Sequence, residues 1–330
     1  MDQAKIEELP SSIGKLKCLR ARRHRIDELG RLNHLEGKLI IGSLEYVRDK
    51  DEAKKSNLVG KANIQRLELR WNISWGISDN FHDHDLLESF QPTIQNFMGS
   101  KFASWIMSDS LPINLTEIKL NGCRECEEVS PLRHLPNLRT IVFDRMTKLK
   151  CVGVEFYGYK HVNNDAVAMK VTLFPALKSL RFENSPALSE WKEAVVEKVM
   201  STGEKAAPVM FPCLEELKLW KCRNLKSAPT HFPSLREMAI WEVGNAMPIE
   251  NICSRVTTLT SLDIYSIKEL TCLPVGMGEK NHNLRELRIK DCDKLASMSC
   301  GLEYCTSLET LRVSGCPNLE SFQISPSQSL

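Results

Sequence analysis

Leu284-Arg-Glu-Leu287-Arg-Ile289-Lys-Asp-Cys292-Asp-Lys-Leu295 is followed, starting at Leu308, by Leu308-Glu-Thr-Leu311-Arg-Val313-Ser-Gly-Cys316-Pro-Asn-Leu319. Both read LxxLxLxxCxxL. Within each, the LxL triplet alternates apolar and polar residues with the period of a strand, so its two apolar side chains share one face. A chain that keeps returning to the same pattern at this interval lays these strands side by side and parallel, with the rest of each unit crossing back behind them. No unit this short covers its own leucines, so each is stabilised by its neighbours.

This is the leucine-rich-repeat (LRR) pattern. Further copies start at Leu259, Leu235, Leu214, Leu177, Leu138, Leu115 and Ile64. The predicted fold is α/β: an LRR solenoid, or horseshoe, with a parallel β-sheet on the concave face and irregular loops or short helices on the convex face. One LRR domain is expected over 1–330, with a truncated N-terminal repeat and basic junction in 1–25 and irregular repeats in 26–110. A regular array follows in 111–330. Its spacing widens between Leu138 and Leu177 and again between Leu177 and Leu214, which places insertions at 152–173 and 191–209, with Glu190 to Met200 as a candidate helix. Between Ile64 and Leu115 the period breaks, leaving room for one degenerate copy around Phe97 to Ile106.

Composition excludes several classes. With 42% hydrophobic and 26% charged residues, the 330-residue chain is neither collagenous nor disordered. Its 44 Lys and Arg against 42 Asp and Glu give no general pull toward nucleic acid or anionic lipid. No apolar stretch is long enough to cross a bilayer, and Met1 to Lys5 lacks the apolar segment of a signal peptide, so no membrane insertion and a reducing, intracellular compartment are expected.

Candidate chemistry reduces to structure. Cys123 and Cys126 form a CxxC, yet Cys123 shares its repeat position with Cys222, Cys292 and Cys316, where a thiol packs at the turn after the strand. A zinc site is therefore not expected. His82-Asp83-His84-Asp85 reads as a solvated loop. The sequons at Asn72 and Asn114 are expected to go unused. No GxSxG, HExxH or Gly-rich phosphate loop occurs, so neither catalysis nor a cofactor is expected.

Residues Ile26 to Trp71, with Ile26-Asp-Glu-Leu29-Gly-Arg-Leu32-Asn-His-Leu35, Gly37-Lys-Leu39-Ile-Ile41, Leu44-Glu-Tyr-Val47 and Leu67-Glu-Leu69-Arg-Trp71, resemble the LRR region of plant intracellular nucleotide-binding, leucine-rich-repeat (NB-LRR) disease-resistance proteins of the coiled-coil class. Leu87-Glu-Ser-Phe-Gln91-Pro92, Phe102-Ala-Ser-Trp105, Cys123-Arg-Glu-Cys126 and Glu155-Phe156-Tyr157-Gly158 are similar to further landmarks of that family, in its order. The family's phosphate loop and coiled coil do not occur in this sequence. The repeat at Leu9 to Leu19 runs into the basic Arg20 to Arg25, which reads as a solvated junction where repeats are lost, with a nuclear-import patch as the alternative. The resemblance implies a non-catalytic recognition module, cytoplasmic or nuclear, for a pathogen effector or for the nucleotide-binding domain of a receptor. An LRR substrate adaptor of a ubiquitin ligase is the alternative, although no F-box segment precedes Leu9. An extracellular receptor would show a signal peptide and paired Cys caps.

The repeat register also locates a surface. The residue after each LxL faces out of the concave sheet, and in three consecutive copies it is Trp220, Trp241 and Tyr265. Adjacent strands are about 4.8 Å apart, so these rings are expected to form a column, continued by Lys290. Lys218, Asp263, Arg288 and Arg312 face outward beside it. Aromatics next to basic residues are typical interface anchors, so Trp220, Trp241, Tyr265, Arg288, Lys290, Lys218 and Arg312 are the candidate partner-binding residues, facing an acidic protein surface.

Overall fold

The computed structural model describes residues 18–21, 26–42, 44, 54–71, 111–124, 126–129, 131–132, 135–157, 172–194, 209–274, 277, 282–298, 302 and 305–320. The landmarks between Asn72 and Ser110, including His82 to Asp85 and the degenerate copy at Phe97, lie outside these residues. In chain order the strands are β1 Cys18–Ala21, β2 Gly37–Ile41, β3 Ile64–Arg70, β4 Glu117–Asn121, β5 Thr140–Asp144, β6 Cys151–Val152, β7 Thr172–Leu173 and β8 Ser179–Glu183. They continue as β9 Glu190–Trp191, β10 Val209–Met210, β11 Glu216–Trp220, β12 Glu237–Trp241, β13 Ser261–Tyr265, β14 Glu286–Lys290 and β15 Thr310–Ser314. The short helices α1 Val154–Tyr157 and α2 Met247–Cys253 lie on return segments.

Eleven strands form one sheet in the order β1-β2-β3-β4-β5-β8-β11-β12-β13-β14-β15, every pair parallel. The LxL residues line up in register as two inward rows. One runs Leu67, Ile118, Ile141, Leu180, Leu217, Met238, Leu262, Leu287 and Leu311, the other from Leu69 through Leu219 and Ile289 to Val313. All are buried except Leu311 and Val313, which are partly buried because β15 has a described neighbour on one side only. Each fully buried aliphatic side chain contributes roughly 1.5–3 kcal/mol, so the rows are the main source of cohesion between repeats.

Strands β4, β5, β8 and β11 to β15 end the same way. Gly122, Arg145, Asn184, Lys221, Glu242, Ser266, Asp291 and Gly315 follow their strands with φ between 49° and 78°. This left-handed residue turns the chain off the sheet, and its N–H extends the ladder: Lys221 donates to the Trp241 carbonyl at 2.8 Å and Glu242 to Tyr265 at 2.9 Å. At Gly122 a Cβ would also stand 2.4 Å from the Trp71 carbonyl oxygen, so that position needs glycine on two counts. The next residue caps the turn. Ser185 Oγ donates to the Glu183 carbonyl at 3.1 Å, and the thiols of Cys222, Cys292 and Cys316 reach the carbonyl two positions back at 3.5–3.7 Å. Burial pushes the Cys222 thiol up to about 12, which leaves it an unreactive packing group.

Three expectations need correction. Cys123 is buried at that repeat position but is joined in a disulfide to Cys126 rather than packing as a free thiol; the turn brings the two Cα atoms to 5.7 Å, within bridging range. Glu190 does not begin a helix. Glu190–Trp191 is extended and pairs with Cys151–Val152, because Trp191 is drawn into the core, where its indole N–H donates to the Tyr157 hydroxyl at 3.0 Å. Arg20 and Ala21, placed in a junction by the sequence, belong to β1, whose backbone pairs with Lys38 to Ile41.

The insertions are anchored at their ends. Strand β6 pairs with β9 and β7 with β10, so each flank of 152–173 and 191–209 is tied to the other behind the main sheet. Inside, Phe174, Phe211 and Phe232 stack at 5.4 and 6.0 Å, with Tyr157 and Trp191 against them. Each of these phenylalanines is followed by a proline and stands just ahead of a repeat's first leucine.

Candidate protein-binding surface

The outward residues of the sheet form three columns. Along the strand ends the register runs Asp144, Glu183, Trp220, Trp241, Tyr265, Lys290 and Ser314. The three aromatic residues therefore stand side by side. Trp220 and Trp241 meet edge to face at 6.0 Å between centroids, and Trp241 and Tyr265 at 6.4 Å. Both indoles stay more than a third exposed, 37% and 38%, which is unusual for tryptophan on a charged sheet. Cations cap the row: Lys221 Nζ lies 5.5 Å from the Trp220 ring centroid and Lys290 Nζ 5.4 Å from that of Tyr265. The Tyr265 hydroxyl is hydrogen-bonded to Asp291, which raises its pKa.

The middle column runs Arg181, Lys218, Ala239, Asp263, Arg288 and Arg312. The basic residues there are mostly not free charges. Lys218 is paired with Glu216, and Arg288 with Glu286 and, at 3.2 Å, with Asp263. Arg312 is exposed with no ion pair among the described residues. The third column supplies the carboxylates: Glu117, Glu216, Glu237 and Glu286, each just before the first inward residue of its strand. Over β11 to β15 the outward Asp and Glu balance the outward Lys and Arg, so this face is a mosaic rather than a basic patch. Sequence reading missed these glutamates, although Leu115-Thr-Glu117-Ile, Leu214-Glu-Glu216-Leu, Leu235-Arg-Glu237-Met and Leu284-Arg-Glu286-Leu repeat one signal.

Glu216 is the best-held of them. Burial works to raise its pKa, but Lys218, the Ser179 hydroxyl and the Arg181 guanidinium, 2.8 Å away, outweigh it and hold the carboxyl at about 2. Glu183 moves the other way. Burial and the neighbouring Asp144 raise its pKa, while Asp144 is held by Asn121 and Asn184 at 2.7 and 2.9 Å.

Residues 26–146 match the family described as R13L1/DRL21 LRRs. Disease resistance RPP13-like protein 1 of Arabidopsis thaliana is 27% identical over 316 residues, covering 91% of this chain and 26% of that protein. Disease resistance protein RGA2 of Solanum bulbocastanum is 26% identical over 305 residues, 88% of this chain and 26% of that protein. Over most of its length the chain is similar to plant disease-resistance proteins. It spans about a quarter of the length of these relatives. Among solved structures, the LRR domain of the type III effector XCV3220 (XopL) aligns at a TM-score of 0.43 and 15% identity, over 91% of this chain and 73% of that one. Among the described residues no group of His, Cys, Asp and Glu is arranged to hold a metal, and no helix is long and apolar enough to cross a membrane.

Proposed function

We propose that this LRR region is a non-catalytic recognition module of a plant immune receptor, or of a truncated relative. It contacts a pathogen-derived protein or a receptor's nucleotide-binding domain, and it works in the cytoplasm or nucleus. The observation that carries the reading is the register-aligned row Trp220, Trp241 and Tyr265, half-exposed on a sheet face with Lys218, Arg288, Lys290 and Arg312 beside it. Rigid aromatics held out of the core are what interface anchors require. The relatives' names support the immune setting.

The test is proximity labelling in leaf tissue with the full chain and its Trp220→Ala/Trp241→Ala variant. Enrichment of a receptor's nucleotide-binding domain or a pathogen protein, reduced at least about tenfold in the variant while circular dichroism stays unchanged, supports it; two anchors of about 1–2 kcal/mol each set that scale. Equal enrichment by both proteins contradicts it. Recovery of ubiquitin-ligase subunits instead would favour the substrate-adaptor alternative.

A further inference from the structure

Strand β12 departs from its neighbours at one outward position. Where β11 carries Lys218, β13 carries Asp263 and β14 carries Arg288, β12 carries Ala239, and the missing side chain leaves a hollow of about 260 Å³ open to the concave side. The outward residues of β12 on either side of this floor are Glu237 and Trp241. Glu237 is exposed and makes no hydrogen bond or ion pair among the described residues, so its charge is uncompensated. Trp241 does not line the hollow but stands at the next outward position of β12, nearly perpendicular to Trp220 and Tyr265 and still 38% exposed.

The charge around the hollow is one-sided. Glu216, Glu237, Asp263 and Glu286 line it against Lys218 and Arg288. Both cations are turned onto carboxylates of the same wall, Lys218 onto Glu216 and Arg288 onto Asp263 and Glu286. An acidic group placed over Ala239 would meet a net negative rim. A guanidinium or ammonium on an aliphatic stem would meet the free Glu237 carboxylate in the hollow, with the exposed indole at the next outward position along the strand for its stem to lie against.

We infer that the hollow over Ala239 is the socket for an arginine or lysine side chain of the protein partner, with Glu237 as the counter-charge and the neighbouring Trp241 as a contact at its rim. This rests on reading the concave face as a recognition surface, and it fixes the partner's chemistry as cationic at this point. It replaces the acidic partner that the basic residues alone suggested, because the sequence did not show that most of those residues are paired within the sheet.

The experiment uses the full chain, isotope-labelled, and follows the Trp241 indole N–H resonance, assigned by its loss in Trp241→Phe. The probes are N-acetyl-arginine amide, N-acetyl-glutamine amide and N-acetyl-glutamate amide. The arginine probe is expected to shift this resonance saturably, the other two not. Glu237→Gln is expected to weaken the arginine probe about threefold, the scale of an exposed ion pair. Ala239→Leu, which fills the hollow, is expected to abolish the response. A shift by the glutamate probe as large as that by arginine, no shift by arginine, or an arginine response unaltered in Ala239→Leu would each overturn the inference. A glutamate response at Trp241 would do so while leaving the recognition surface standing. Loss of the recognition surface itself is read separately, from partners kept by the Trp220→Ala/Trp241→Ala variant.

Discussion

Two charged side chains illustrate how individual residues set stability here. Lys61 is fully buried, and its ammonium donates to the Leu32 carbonyl at 3.0 Å. Burial lowers its pKa below 10.5. The unfolded chain therefore binds the more protons, and Lys61 makes stability rise as pH climbs from its folded pKa toward 10.5. Lys61→Met keeps the stem and removes the charge. Its melting temperature at pH 7 is expected to equal or exceed that of the parent, and the rise toward pH 10 to disappear; a lower melting temperature at both pH values would show that the ammonium stabilises the fold. Glu216 has the opposite linkage. Its carboxyl is held at about 2, below the usual 4.5, so its contribution is present above 4.5 and is lost as pH falls toward 2. Denaturant titration of Glu216→Gln at pH 7 is expected to show a loss of about 2 kcal/mol, the worth of charge-assisted hydrogen bonds, shrinking as the pH falls through that window. An equal loss at pH 7 and pH 3 would contradict the assignment.

At the scale of strands, position in the stack decides what a leucine is worth. Leu219 lies in β11 between β8 and β12 and is fully buried, whereas Leu311 in the last described strand is only partly covered. Leu219→Ala is expected to cost about 2–5 kcal/mol because it leaves a cavity shared by two neighbours. Leu311→Ala is expected to cost less than half as much by the same denaturant measurement; equal costs would mean that neighbour stacking does not govern stability. The strands and their inward residues were legible because LxL alternation is a local signal that the fold does not override. Other features were less so. The pairing of β6 with β9 joins Cys151 to Glu190 across a whole intervening repeat, and nothing local announces it. The phenylalanine stack could have been found from its three Phe-Pro steps before Leu177, Leu214 and Leu235. The aromatic column was legible from the register alone. The glutamate column repeated just as plainly, but its meaning depends on cross-strand pairs such as Arg181 with Glu216, which only three-dimensional structure reveals.

Over the whole molecule, the sheet presents a nearly neutral face on which most charges are matched by neighbours, so long-range attraction contributes little to partner choice. On the proposed function, specificity falls to local features, the indole row and the hollow beside it. Site-specific photo-cross-linking of the full chain in leaf tissue tests this most directly. A cross-linker at position 290, beside Tyr265 on the concave face, is compared with one at position 247, where Met247 is exposed on α2 of a return segment. Partner adducts are expected from position 290, reduced by Trp220→Ala/Trp241→Ala, and not from position 247. Adducts from position 247 with none from position 290 would contradict recognition through the concave face.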